Sequence, residues 1–125
     1  MTKILIIDDS RFARSMIRKA IEALGYETAE ATNGREGLQM VASYQPDAVT
    51  VDLLMPELDG IGFLSALRET GNNLPVVVIS ANIQVDVRRR CEHLGAVFLI
   101  KPFKKSELEA ALCSHGITME VGHGT

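Results

Sequence analysis

The stretch KILIIDDSRFAR, residues 3–14, sets two acids directly behind an apolar run. A continuous run of apolar, largely β-branched residues suits a strand buried on both faces, and that implies a parallel sheet. Two like charges about 4 Å apart repel by roughly 4 kcal/mol at an effective dielectric near 20. Asp8 and Asp9 at the edge of a core therefore need a compensating cation or an outlet to solvent. One local explanation is that Asp9 or Ser10 caps the helix that follows, since both residue types accept from the open N–H groups of a first turn. The other is that the pair belongs to a site assembled from distant parts of the chain.

Beyond the acids, Ala13, Met16, Ile17, Ala20, Ile21 and Leu24 recur at helical spacing, and Gly25 stands where a left-handed C-cap would close the helix. These six residues are the expected apolar face. The order then repeats, with a strand over 27–31, a helix over 34–43 and a strand over 47–51. After Pro56 come a helix over 60–69, a turn at Gly71–Asn73 and a strand over 75–79. A helix over 84–94, a strand over 97–100 and a helix over 104–113 complete five β/α rounds. Such alternation predicts an α/β fold, a right-handed, five-stranded, doubly wound parallel sheet with helices on both faces. In that architecture function gathers at the C-terminal ends of the strands.

A length of 125 residues suits one domain with a single core, and 46% hydrophobic with 23% charged residues is an ordinary globular balance. No apolar run approaches the roughly 20 residues that span a bilayer, and Met1-Thr2-Lys3 leads into a strand rather than a signal sequence. A cytoplasmic protein with no membrane partner is expected. Cys91 and Cys113 stand far from any Cys/His cluster and read as free thiols; His93, His115 and His123 lack ligand spacing. A net charge of −3 argues against nucleic acid as a partner. Arg88, Arg89 and Arg90 point in different directions on a helix, which favours a solvated face over a docking contact for an acidic partner.

Just past the predicted strands stand Asp8 and Asp9, then Asp52, Ser80, and Lys101 with Pro102. Converging on one rim, they would form a pocket of three carboxylates, one hydroxyl and one ammonium. One lysine leaves that pocket short of positive charge, which a hard, oxygen-seeking cation such as Mg2+ would supply, with Mn2+ a possible substitute. Strand alternation would send Asp8 and Asp9 to opposite faces, so strand geometry must end there for both to approach one ion.

Four segments in this order, IIDDS at 6–10, VDLLMPELDG at 51–60, VVVISA at 76–81 and FLIKPF at 98–103, resemble the receiver domain of two-component response regulators. The likeness covers residues 2–113 and is strongest to stand-alone, chemotaxis-type members. It implies the flavodoxin-like (βα)5 strand order 2-1-3-4-5, with a receiver domain at 1–114 and a short tail at 115–125. It implies that Asp52 is the phosphoacceptor, that Asp8 and Asp9 are the acid pair, that Ser80 and Lys101 contact the phosphoryl group, and that the Lys101–Pro102 bond is cis. On this reading Asp9, Asp52 and the backbone carbonyl of Leu54 hold the metal, Asp8 acts through its water shell, and Lys101 pairs with Asp52. Phe98 takes the aromatic switch position, rotating inward when phosphorylation draws Ser80 toward the site.

The implied partners are a sensor histidine kinase or phosphotransfer protein upstream and a protein target downstream, on the face of the fourth helix, fifth strand and fifth helix. A monomer or a phosphorylation-linked dimer is expected, catalysing only its own phosphorylation and dephosphorylation. Ser80 stands where threonine is commoner and Phe98 where many members have tyrosine, while Leu54 and Asn82 flank the pocket. Apolar Leu54 offers an attacking water no hydrogen bond, which suggests slow self-hydrolysis. The segment after Cys113 has three glycines and little periodicity, so no output domain is expected. A small Mg2+-dependent aspartyl-phosphate phosphatase would need a second acid where Leu54 stands, and a flavodoxin-like flavin carrier would not place two acids at its phosphate loop.

Overall fold

The computed structural model describes residues 2–55, 58–81 and 84–114. Pro56, Asn82 and the tail at 115–125, on which sequence expectations fell, lie outside the described residues. In chain order the elements are β1 (Lys3–Ile7), α1 (Arg11–Ala23), β2 (Glu27–Ala31), α2 (Gly34–Tyr44), β3 (Ala48–Val51), α3 (Gly60–Glu69), β4 (Val76–Ser80), α4 (Val85–His93), β5 (Val97–Ile100) and α5 (Lys105–Ser114). The strands form one sheet in the order β2-β1-β3-β4-β5, every neighbouring pair parallel, as expected.

Ile4, Leu5, Ile6 and Ile7 are each at most 1% exposed, because β1 is covered on both faces. On one side Leu5, Ile7, Val49, Val51, Val76 and Val78 pack with Phe63, Leu64 and Leu67 of α3 and Cys91 of α4. On the other, Ile4, Ile6, Val77 and Ile79 meet Ile17 and Ile21 of α1 and Leu108 and Leu112 of α5. Burying each such aliphatic side chain contributes about 1.5–3 kcal/mol. The two layers hold the strand ends, and whatever they carry, in register.

Several boundaries shift by one residue for local reasons. Asp47 precedes β3 rather than opening it, its backbone N–H donating to Lys3 O (2.7 Å) while its carboxylate accepts from the Lys3 backbone N–H (2.8 Å). Pro75 has no N–H to donate, so β4 runs from Val76 to Ser80, and Ser80 is its last residue, in register with Ile100, rather than the first beyond it. Gln84 is the extended cap residue of α4, not its first turn. Gly25, at φ 94°, donates to Glu22 O after α1, as its cap position required.

One expected core residue is not in the core. Met16 is 53% exposed, as is Phe12 at 76%, because the buried stripe of α1 centres on Ile17, Ile21 and Leu24 and Met16 lies about 100° around the helix from Ile17. Both side chains line a groove of about 530 Å³ with Ala13, Ala20 and Phe103. Arg88, Arg89 and Arg90 are exposed, as a solvated face requires, and Cys91 (buried) and Cys113 (exposed) are both free thiols.

Candidate functional site

Parallel strands bring their C-terminal ends to one rim, and hydrogen bonding continues a residue past the strands. The Asp8 N–H donates to Ala31 O and the Asp52 N–H to Ile7 O, both at 3.1 Å, and the Lys101 N–H donates to Ser80 O at 2.9 Å. Beneath Asp52 the start of α3 comes very close, since a Cβ built on Gly60 would stand 2.3 Å from Asp52 O. Glycine is required there by the approach of one backbone to another.

The rim gathers the predicted residues. Carboxylate oxygens of Asp8, Asp9 and Asp52 all lie within 4.8 Å of one another. Lys101 Nζ donates to Asp8 Oδ2 at 3.0 Å and to Asp52 Oδ2 at 3.4 Å. Asp8 is 1% exposed, while the side chains of Asp52 and Lys101 are 13% and 25% exposed and Asp9 is open to solvent. The pocket thus grades from a sealed floor at Asp8 to a wet mouth at Asp9.

Lys101 was expected to pair with Asp52; it bridges both acids and stands closer to Asp8. The buried carboxylate has the larger need of a cation, because solvent cannot screen it. Burial by itself would lower the Lys101 pKa, but the hydrogen bond to Asp8 and the charges of Asp52 and Asp8 outweigh it and hold the ammonium above the ordinary lysine value. Asp8 Oδ1 also accepts from the Ser10 N–H (2.9 Å), and Asp52 Oδ1 from the Leu53 N–H (2.7 Å). These bonds fix the position of both carboxylates.

The opening alternatives are both realised, by different residues. Ser10 caps α1, its hydroxyl accepting from the Ala13 N–H at 3.1 Å, while the carboxylate of Asp9 belongs to the acid cluster. Three carboxylates against one ammonium make a strongly anionic, all-oxygen seat, a donor set that fits Mg2+. Leu54 projects into solvent at 70% exposure. Ser80 is 1% exposed and follows Val78, the register partner of Phe98, by two positions, so both share a face of the sheet. Phe98 is already inside, 9% exposed, with its ring 5.7 Å from the Arg88 guanidinium, so from this conformation it has no inward rotation left to make. The Lys101–Pro102 bond is cis.

Sequence reasoning missed Arg14. Its side chain is only 12% exposed and its Nη1 donates to the backbone carbonyl of Asp8 at 2.6 Å. The available signal was an arginine beside Ala13 and one turn before Ile17, close to a helix face that has to be buried.

The family model described as the response regulator receiver domain matches residues 4–113. The chain belongs to this family. The Response regulator MprA of Mycolicibacterium vanbaalenii is 40% identical over 111 residues, covering 88% of this chain and 48% of that protein. The Mycobacterium avium protein of the same description gives 40% over 111 residues, 88% and 49%. The chain therefore spans about half the length of the curated relatives it matches. Among solved structures, chemotaxis protein CheY4 of Vibrio cholerae superposes with TM-score 0.83 at 28% identity, over 91% of this chain and 98% of that one. The CheY of a CheX–CheY–BeF3–Mg complex from Borrelia burgdorferi gives TM-score 0.85 at 29% identity, over 94% and 90%. Receiver domains are signalling phosphoacceptors of two-component systems that bind Mg2+ in an acidic pocket. Among the described residues of this receiver, no helix is long and apolar enough to cross a membrane.

Proposed function

We propose that this receiver accepts a phosphoryl group on Asp52 from a sensor histidine kinase or phosphotransfer protein, in a Mg2+-dependent reaction, and signals by contact with a protein partner. The observation that carries this reading is the convergence of Asp8, Asp9 and Asp52 within 4.8 Å, bridged by Lys101. An Asp52 carboxylate oxygen attacks phosphorus, an acyl phosphate forms, and the P–N bond to the donor imidazole breaks. The residues' share is alignment and charge neutralisation, which phosphoryl transfer chiefly demands. Asp9, Asp52 and the Leu54 carbonyl would hold the cation, with Asp8 acting through its water; when bound, the cation screens the acids and the phosphoryl oxygens from one another. Lys101 Nζ, already shared between two carboxylates, can swing its donation onto a phosphoryl oxygen. That a structural neighbour, the Borrelia burgdorferi CheX–CheY complex, contains BeF3 and magnesium supports the Mg2+ dependence of the proposed reaction.

Phosphorylation adds about 1.5–2 negative charges and three acceptor oxygens. The Ser80 hydroxyl then donates to one of them and holds the end of β4 against the site. Because Ser80 and Phe98 share a face, this favours the inward ring over outward alternatives, a shift of population that reshapes the α4–β5–α5 surface. The receiver catalyses only its own phosphorylation and dephosphorylation, and the receiver unit is placed at residues 1–114.

The test is incubation with Mg2+ and acetyl phosphate followed by intact mass. One added phosphate, absent when Mg2+ is chelated beforehand and in Asp52→Asn, is expected; no gain in mass with Mg2+ and donor present overturns the proposal.

A further inference from the structure

We propose that Arg14 is a positioning residue that sets where the Asp9 carboxylate stands in the cation seat. The inference rests on reading the acid cluster as a Mg2+ site. Asp8 is fixed on nearly every side: its N–H donates to Ala31 O, Oδ1 accepts from the Ser10 N–H, and Oδ2 accepts from Lys101. Asp9 is exposed, and its placement depends on the peptide plane that joins it to Asp8. The oxygen of that plane is the Asp8 carbonyl, and Arg14 Nη1 holds it at 2.6 Å.

The guanidinium is itself anchored, since Nε donates to Glu30 Oε1 at 2.9 Å from β2. Glu30 is the residue before Ala31, whose carbonyl takes the Asp8 N–H. One rigid fork therefore ties the peptide after Asp8 to the same stretch of β2 that anchors the peptide before it. Lysine, with a single ammonium on a flexible stem, cannot span a carbonyl and a carboxylate in fixed geometry as a planar fork does.

Glu30 has a second effect. A bare cation this close to the acids would oppose entry of Mg2+, and the glutamate cancels that charge while keeping the geometry. Arg18 Nε lies 3.9 Å from Glu30 Oε2, too far for a hydrogen bond, so Arg14 is the arginine that Glu30 anchors by one.

The charge argument gives the test its sign. If Arg14 acted only as a positive charge, Arg14→Ala would tighten Mg2+ binding. If it acted only in folding, the melting temperature would fall with Mg2+ affinity unchanged. Positioning predicts weaker binding, by about tenfold or more as for other residues that orient metal ligands.

The measurement is Mg2+ titration of the unphosphorylated protein by calorimetry, on wild type, Arg14→Ala, Arg14→Lys and Asp9→Asn, each checked for folding by circular dichroism. Arg14→Ala should weaken binding about tenfold, and Arg14→Lys, which retains the charge, should fall between it and wild type. At saturating Mg2+ the rate with acetyl phosphate should return to near the wild-type value, because the seat is loosened and the nucleophile is untouched. Tighter or unchanged Mg2+ affinity in folded Arg14→Ala overturns the proposal. If that variant does not fold, wild-type affinity in Arg14→Lys overturns it, and a loss there supports it. A wild type whose Mg2+ binding is absent or indifferent to Asp9→Asn sinks the metal-site reading and the Arg14 proposal together, an outcome distinct from failure of the clamp alone.

Discussion

Replacing Asp9 by asparagine should have opposite effects with and without a divalent cation. The three carboxylates share a sphere in which no chosen pair of oxygens is more than 4.8 Å apart. Two unit charges at that distance repel by about 3.5 kcal/mol at an effective dielectric of 20 and by about 0.9 kcal/mol in water. Asp9 is open to solvent, which selects the lower figure, and Lys101 offsets part of the charge of the other two acids. Asp9→Asn in metal-free buffer should therefore stabilise the fold by about 1 kcal/mol, or roughly 3–5 °C for a chain of this size. At a Mg2+ concentration about ten times its Kd, wild type gains about 1.4 kcal/mol by mass action, whereas a variant that binds about tenfold more weakly gains about 0.4 kcal/mol. The variant's lead closes at that concentration and inverts above it. Thermal melts followed by far-UV circular dichroism, in EDTA and across a Mg2+ series, would show the crossing. A variant that melts at or below wild type in EDTA refutes the repulsion on which the metal seat was argued.

Gly60→Ala should cost about 2–3 kcal/mol in a urea titration, because the new methyl would meet only backbone: Asp52 O at 2.3 Å and Leu53 Cα at 2.9 Å. Phosphorylation by acetyl phosphate should slow roughly tenfold in the same variant as Asp52 is displaced, and a wild-type rate would show that the contact does not place the nucleophile. Burial, the hydrogen bond to Glu27, and the charges of Glu27 and Asp47 push the Tyr44 phenol up to about 12 from 10.0. A raised folded-state value means stability that is complete below about pH 10 and is lost as the pH climbs toward 12. Phenolate absorbance should show a group titrating near 12 that vanishes in Tyr44→Phe, and its persistence in that variant would refute the assignment.

Four of the five strands were legible because each is a largely apolar run ended by a polar residue, and the rim followed from those four transitions; β2, ETAEA, lacks such a run and was read from the alternation of the elements around it. Element ends were less so: whether Ser80 closes β4 or follows it depends on register with Ile100, a partner twenty positions away that no local pattern encodes. Met16 shows the limit of periodicity, which identifies an apolar face without saying how much of it a neighbouring element will cover. The direction of Lys101 depended on which acid is buried deeper, and Arg14 was missed because its partner is a backbone carbonyl, which every residue carries. The position of Phe98 is a matter of conformation, to which the residue type is indifferent.

Lys101 meets Asp8 across 93 positions of chain and Asp52 across 49. A nascent polypeptide leaving the ribosome thus displays all three acids well before the cation that bridges two of them has been synthesised, and the rim is complete only when β5 docks beside β4. On the proposed function, competence for phosphoryl transfer would then report that the sheet is finished, and a kinase meeting a half-made or frayed receiver would find no substrate.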